Sequence, residues 1–439
     1  MKFTVLQLAR LAGFLCLLGL VLSVLACNGP SPSHRDDHSS PGVSPTEILL
    51  GSSLPLTGHA RYLGIQTLRG AMTYIDEVNN KGGVHGRKIR VVAYDDRYDP
   101  PMCLANTQRL IIEEQVFALF CYVGTPTTVK IIPMVEDARI PLLGMFTGAN
   151  ALREPFNRYI INVRASYYQE TRAAVRHLVK DLGIENIAVF YQYDAYGFDG
   201  LTGTELALKE FGLAPVARGT YVRGTMDVSD GLQKIMHSGA EAVVMIGTYD
   251  PCAKFIQEAL TQGFDPIFYT VSFVGADELA RHFTEDGDEV ILMSQVVPPP
   301  EGPETRQLLG SAAEYVQLMA RDYPDDKPNF VGLEGYINAR VLVEGLRRAG
   351  PNLTREGFIQ AIESMDQYSL GGDTSISFSP RDHQGMERVY FTRLRGGQFV
   401  LVSEQDWQDM ANEIEIKRHN HERFDHGMEA AALHDQPEQ

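Results

Sequence analysis

From Glu47 onward, short apolar runs alternate with amphipathic stretches. Ile48-Leu49-Leu50-Gly51 reads as a strand, and Gln66 to Asn79 as a helix whose apolar face is Ala71, Tyr74, Ile75 and Val78. Lys81-Gly82-Gly83 stops that helix, because glycine supplies a left-handed cap without strain. The pattern then predicts a strand at Ile89 to Tyr94, a helix at Met102 to Glu114 and a third strand at Phe117 to Cys121. A helix at Thr127 to Ala138 and a strand at Pro141 to Gly144 complete the series. Four strand–helix units in a row imply a parallel sheet with helices on both faces.

The series restarts after the apolar run Tyr159 to Val163. Helices are expected at Glu170 to Leu182, Gly200 to Phe211, Val228 to His237 and Cys252 to Gln262. Strands are expected at Ile187 to Tyr191, Ala217 to Val222, Ala242 to Ile246, Pro266 to Thr270 and Val290 to Met293. Helices at Glu304 to Arg321, Leu333 to Arg348 and Thr354 to Ser364 follow, then antiparallel strands at 375–378, 389–391 and 399–401. The fold class is α/β, in two lobes of the same architecture with crossovers between them. The expected division is 46–165 plus 296–366 for the first lobe and 166–295 plus 367–403 for the second. Residues 404–439 form a polar stretch holding the only Trp, with His419, His421, His426 and His434 among acids. Such histidines can bind a transition metal, but their spacing fits no fixed coordination pattern, and a solvated, partly helical tail fits better.

The N-terminus departs from this pattern. Residues 1–26 carry no acid, and Leu11 to Leu25 is an almost unbroken apolar run behind Lys2 and Arg10. That is too short for a comfortable permanent span and lies where a secretory signal belongs. The run ends in Val24-Leu25-Ala26-Cys27, which resembles a lipoprotein cleavage box in which Cys27 is acylated. The polar stretch 27–45, rich in Ser and Pro, reads as a flexible tether. Together they predict an extracytoplasmic protein anchored in a membrane through Cys27. Net charge is −17 over 439 residues, so a nucleic-acid partner is not expected. Cys103, Cys121 and Cys252 lack metal-ligand spacing and read best as small buried hydrophobes, although a Cys103–Cys121 disulfide is open.

In α/β sheets, ligands bind beyond the carboxyl ends of strands, where loops and helix N-termini converge. After the third strand comes Gly124-Thr125-Pro126-Thr127-Thr128, whose free amides and the Thr125 and Thr127 hydroxyls suit an anion. After the fourth comes Phe146-Thr147-Gly148. These threonines could equally be helix caps. The second series places Tyr193 and Tyr196, Tyr249, and Ser272 with Phe273 at corresponding positions, and Tyr62 follows the first strand. This set suits a small ligand with one anionic end and one apolar part. No nucleophile elbow, phosphate loop, two-histidine metal helix or GxGxxG fingerprint appears, so neither an enzyme nor a cofactor is implied.

Asn80-Lys81-Gly82-Gly83-Val84-His85-Gly86-Arg87-Lys88-Ile89, running on to Tyr94-Asp95-Asp96, resembles the signature of type I periplasmic solute-binding proteins. Ser53-Leu54-Pro55-Leu56-Thr57-Gly58 and Glu334-Gly335-Tyr336 fit the same pattern, and the branch is similar to leucine/isoleucine/valine-binding receptors of ABC transporters. The resemblance, over about 47–403, implies two Rossmann-like lobes joined by a three-stranded hinge that close on a ligand. It implies a monomeric receptor that delivers a small amino acid or organic acid to ABC permease subunits. It assigns the ligand carboxylate to Thr125, with Thr147 acting where relatives have a threonine at the position of Gly148. It assigns closure over the ligand to Tyr196 and Tyr249, with Tyr62 as the first-lobe aromatic. In one place the chain departs from the pattern: amino-acid-binding relatives have an acid for the ligand ammonium where this chain has Ser272. Asp250 or Asp194 could substitute. An amine-free organic acid or amide, or a sensory rather than a transport role, are the alternatives.

Overall fold

The computed structural model describes residues 40–283 and 290–434, with side chains as far as residue 419. Cys27 and the stretch 1–39 lie outside the described residues, as do the side chains of His421, His426 and His434.

The first lobe opens with β1 (Glu47–Leu54), α1 (Arg61–Asn80), β2 (Lys88–Asp95), α2 (Pro100–Ile112) and β3 (Ala118–Phe120). It continues through α3 (Thr125–Lys130), α4 (Ile132–Ala138), β4 (Leu142–Leu143) and β5 (Ile160–Ile161). Its sheet has the order β2-β1-β3-β4-β5, with Leu50 opposite Ala118, Leu119 opposite Leu142 and Leu142 opposite Ile160. All four pairings are parallel, which buries both faces and explains why β1 is apolar or small along nearly its whole length.

The chain then crosses to α5 (Tyr167–Lys180), β6 (Ile187–Gln192), α6 (Ala195–Lys209), β7 (Arg218–Tyr221) and α7 (Ser229–Met236). The second lobe goes on with β8 (Ala242–Ile246), α8 (Tyr249–Thr261), β9 (Ile267–Thr270), α9 (Ala276–Ala280) and β10 (Ile291–Gln295). After β10 it returns through α10 (Thr305–Leu308), α11 (Ala312–Asp322), α12 (Phe330–Ala349) and α13 (Arg355–Glu363). A hairpin of β11 (Tyr368–Gly371) and β12 (Thr374–Ile376) precedes the third crossing to β13 (Tyr390–Arg395) and β14 (Gln398–Leu401). The second sheet reads β14-β13-β10-β9-β8-β6-β7, parallel except for β13 and β14. The first and third crossings are tied together: Asn162 N donates to His383 O and Gly385 N to Asn162 O, both at 2.8 Å.

Several expected helices have different limits. The first begins at Arg61 rather than Gln66, because no side chain caps it and the start therefore leaves no mark in the sequence. The stretch 127–138 is two helices meeting at Ile131, where Pro133 cannot continue the hydrogen-bond ladder. The stretch 304–321 breaks at Leu309, because Ser311 N donates to Leu370 O at 3.0 Å, outside the helix. That bond, with Asp373 N to Gln307 O at 2.7 Å, holds the β11–β12 hairpin on α10. The hairpin thus packs on the returning helix α10.

The polar C-terminal stretch is also more structured than a solvated tail. α14 (Glu404–His434) lays Trp407 flat on His177, with centroids 4.4 Å apart, and buries Met410. Lys417 reaches Asp265 at 2.8 Å, and Arg418 reaches Glu241. Cys103, Cys121 and Cys252 are buried free thiols. Among the described residues, no helix is long and apolar enough to cross a membrane.

Candidate functional site

The loop after β3 turns sharply. Gly124 takes φ +101° and donates to Phe146 O at 3.2 Å, which ties it to the loop after β4. A side chain there is doubly disfavoured, since a Cβ would also lie 2.1 Å from the Tyr98 ring. Thr125 follows at the start of α3, and its hydroxyl meets that of Thr147 at 2.7 Å. Phe146 is fully buried beside them. At Gly148 a Cβ would lie 2.7 Å from Tyr167, and the Gly148 carbonyl accepts from Tyr167 N at 2.7 Å. The structure therefore brings Thr125, Phe146, Thr147 and Gly148 together. Thr127 is the exception: its hydroxyl bonds back to Val123 O at 2.7 Å and Gly124 O at 2.9 Å, so it acts as part of the helix start.

The second lobe supplies rings. Tyr196 is buried, with its hydroxyl on Gly247 O at 3.0 Å and its ring 5.3 Å from Tyr167. Phe273 lies at the centre, with its centroid 4.7 Å from Tyr196, 5.6 Å from Phe146, 6.0 Å from Tyr98 and 6.5 Å from Tyr167. Tyr98 reaches this position from a strained turn, with Arg97 at φ +53° and Tyr98 at φ +61°. The Asp95 and Asp96 carboxylates hold that turn by accepting from the Arg97 and Tyr98 amides at 3.0 and 2.9 Å.

Ser272 belongs to a buried network. Its amide and hydroxyl donate to Glu170 at 2.8 and 2.9 Å, and the Ser294 hydroxyl donates there as well. Arg164, on the first crossing, donates to Glu170 at 3.1 Å, also contacts Ser272, and faces Glu334 of α12 at 3.3 Å. Its guanidinium lies 5.1 Å from the Phe146 centroid. Burial pushes the Glu334 carboxyl up to about 7, with Arg164 opposing and Glu170 adding to the shift.

Tyr62 and Tyr249 stand apart as an edge-to-face pair across the lobes, with centroids 6.2 Å apart. Tyr62 also lines a cavity of about 640 Å³ with Gln66, Asp277, Arg281 and Asn329. Burial pushes Asp277 up to about 6. Neither acid considered as a substitute for the one missing at Ser272 is free. Asp250 pairs with His282 at 2.9 Å, and Asp194 caps α6 through Tyr196 N and accepts from Gln192 at 2.7 Å.

Sequence reasoning left out Arg164, Glu170 and Tyr98. Each is a charged or large residue on a crossing, a helix or a turn, with no spacing to mark it. The chemistry assembled here is hydroxyl donors from two neighbouring strand ends, facing aromatic rings from a second lobe. Such a site can hold an anionic solute.

Residues 47–398, nearly all of both lobes, match the model of the periplasmic binding protein family. The chain belongs to that family. A Leu/Ile/Val-binding protein homolog 7 from Brucella abortus (strain 2308) is 26% identical over 331 residues, covering 70% of this chain and 79% of that protein. The crystal structure of a possible leucine/isoleucine/valine-binding protein from Rhodopirellula baltica SH 1 is 34% identical, covers 83% of this chain and 98% of its own, and superposes with a TM-score of 0.77. A substrate-binding periplasmic protein from Ralstonia solanacearum is 28% identical, with coverage of 81% and 99% and a TM-score of 0.75. The periplasmic binding protein described here is thus a solute receptor of the leucine/isoleucine/valine-binding type, not an enzyme, and its family places it outside the cytoplasm.

Proposed function

We propose that this chain is the solute-capturing subunit of an ABC importer, and that it closes its two lobes on a small carboxylate-bearing solute. The Thr125–Thr147 hydroxyl pair carries the reading: two donors from neighbouring strand ends, 2.7 Å apart, beneath rings of the other lobe. A carboxylate can replace their mutual bond by accepting from both, and such charge-assisted bonds are stronger than neutral ones. Tyr196 closes from the second lobe, and Tyr62 and Tyr249 meet at the outer edge. Acylated Cys27 holds the receptor at the membrane beside its permease, and Cys27→Ser should release it into the soluble fraction; continued membrane retention overturns the anchor. The names of the relatives support an amino acid or a similar organic acid as solute.

A thermal-shift panel of amino acids, organic acids and amides tests the reading. A carboxylate at a hundred times its dissociation constant stabilises by about 2.7 kcal/mol. Absence of a shift from every carboxylate, with unchanged behaviour in Thr125→Ala, overturns it.

A further inference from the structure

We propose that the solute is an aromatic carboxylate without an ammonium group. This rests on the carboxylate reading above and narrows it to a ligand class.

The carboxylates around the rings are already engaged. Glu170 accepts from Arg164, from the Ser272 amide and hydroxyl, and from Ser294, which fills both oxygens. Asp194 is held by Tyr196 N, Gln192 and Arg223. Asp96 is held by Ser53 and Tyr98 N. Asp199 accepts from the Asn150 amide on Oδ2 and faces the Arg153 cation, with its Oδ1 buried and making no hydrogen bond, and Glu334 faces Arg164. Asp277 sits at the outer cavity against Tyr62 and the Phe330 amide. An ammonium brought among the rings would lose water and meet no carboxylate that is not already held by a cation or by hydrogen bonds.

Donors, by contrast, are in excess. Arg164 Nε and the Tyr167 hydroxyl are buried and make no hydrogen bond of normal geometry, although Tyr167 lies beside Thr147. With the Thr125 and Thr147 hydroxyls, they make the surroundings of Phe146 a place for negative charge.

The shape of the apolar part is set by rings. Phe273 shows that a phenyl group fits among Tyr98, Phe146, Tyr167 and Tyr196, in tilted and edge contacts that aromatic pairs favour. Phe273 stands on the second lobe, whereas Tyr98 and Phe146 stand on the first. As the lobes part, a flat ring can enter between these faces with its carboxylate on Thr125 and Thr147.

Calorimetry with a matched pair tests this: 3-phenylpropionate and L-phenylalanine differ only by the ammonium group, and 3-cyclohexylpropionate removes aromaticity. The expected result is that 3-phenylpropionate binds at least about tenfold more tightly than either. Equal or tighter binding of L-phenylalanine or L-leucine overturns the amine-free assignment, and equal binding of the cyclohexyl acid overturns the aromatic one. Both outcomes leave the Thr125–Thr147 cradle standing if Thr125→Ala abolishes that binding. Binding of no carboxylate overturns the inference and the carboxylate reading together.

Discussion

The two faces of the cleft are built on opposite principles. On the first-lobe face, Thr125 and Thr147 share one neutral hydrogen bond, which a ligand oxygen can replace at little cost. On the second-lobe face, Ser272 is locked into Glu170, and Glu170 into Arg164 and Ser294. Releasing Arg164 or Glu170 leaves a charge buried without its partner. On the proposed reading, the exchangeable first-lobe hydroxyls anchor the anionic end, and the second lobe acts as a lid that brings Tyr167, Tyr196 and Phe273 over it. Arg164 joins the two, since it lies on the first crossing and faces Glu170 of one lobe and Glu334 of the other.

Cutting that joint should have the largest effect. Arg164→Met leaves Glu170 and Glu334 buried together without a cation, and breaking a buried pair in this way costs roughly 3–5 kcal/mol. Urea unfolding measures it; a loss below about 1 kcal/mol would show that the lid face is as exchangeable as the anchor face. The next effect is a pH dependence from Glu334, whose folded carboxyl is pushed up to about 7 by burial. Between the ordinary glutamate value and that point the folded state holds more protons than the unfolded one. Unfolding free energy should therefore fall as pH rises through this window, by about 3 kcal/mol from this group. Glu334→Gln should flatten the slope between pH 5 and 7; an unchanged slope would assign it to Asp96, Asp199 or Asp277, which burial pushes up to about 6.

The same contrast governs what the sequence reveals. The strands and the loops that follow them are legible because apolar runs and helix starts recur at fixed intervals, and so Thr125, Phe146, Thr147 and Ser272 stand out as strand-end positions. The missing acid at Ser272 is legible too, but its structural setting is not. Glu170 lies in an amphipathic helix, where an isolated acid reads as solvent-facing, yet it is fully buried. Arg164 lies on a crossing with no periodicity. Tyr98 is hidden for another reason: its left-handed backbone has no glycine to signal it and depends on Asp95 and Asp96. Thr127 fails in the opposite sense, because the sequence cannot show that its hydroxyl turns back onto Val123 and Gly124.

The smallest stability effect is expected on the first-lobe face, where the functional effect should nevertheless be clear. Thr147→Val keeps the side-chain shape and removes one hydroxyl, so it costs the Thr125 bond and a longer one from Ala149 N, together about 1–2 kcal/mol of stability. Tyr196→Phe, which loses the bond to Gly247 O, should cost a similar amount on the second-lobe face. The two variants should separate in ligand binding. If the proposed carboxylate sits on these hydroxyls, Thr147→Val removes a donor to it and should weaken affinity by about tenfold or more, because a charge-assisted bond is lost. Tyr196→Phe keeps the ring proposed to cover the ligand and should leave affinity within about threefold, since only a bond inside its own lobe is gone. Calorimetry on both proteins decides between them. Equal weakening would mean that the two faces share the recognition of the anionic end, and that the division into anchor and lid is wrong.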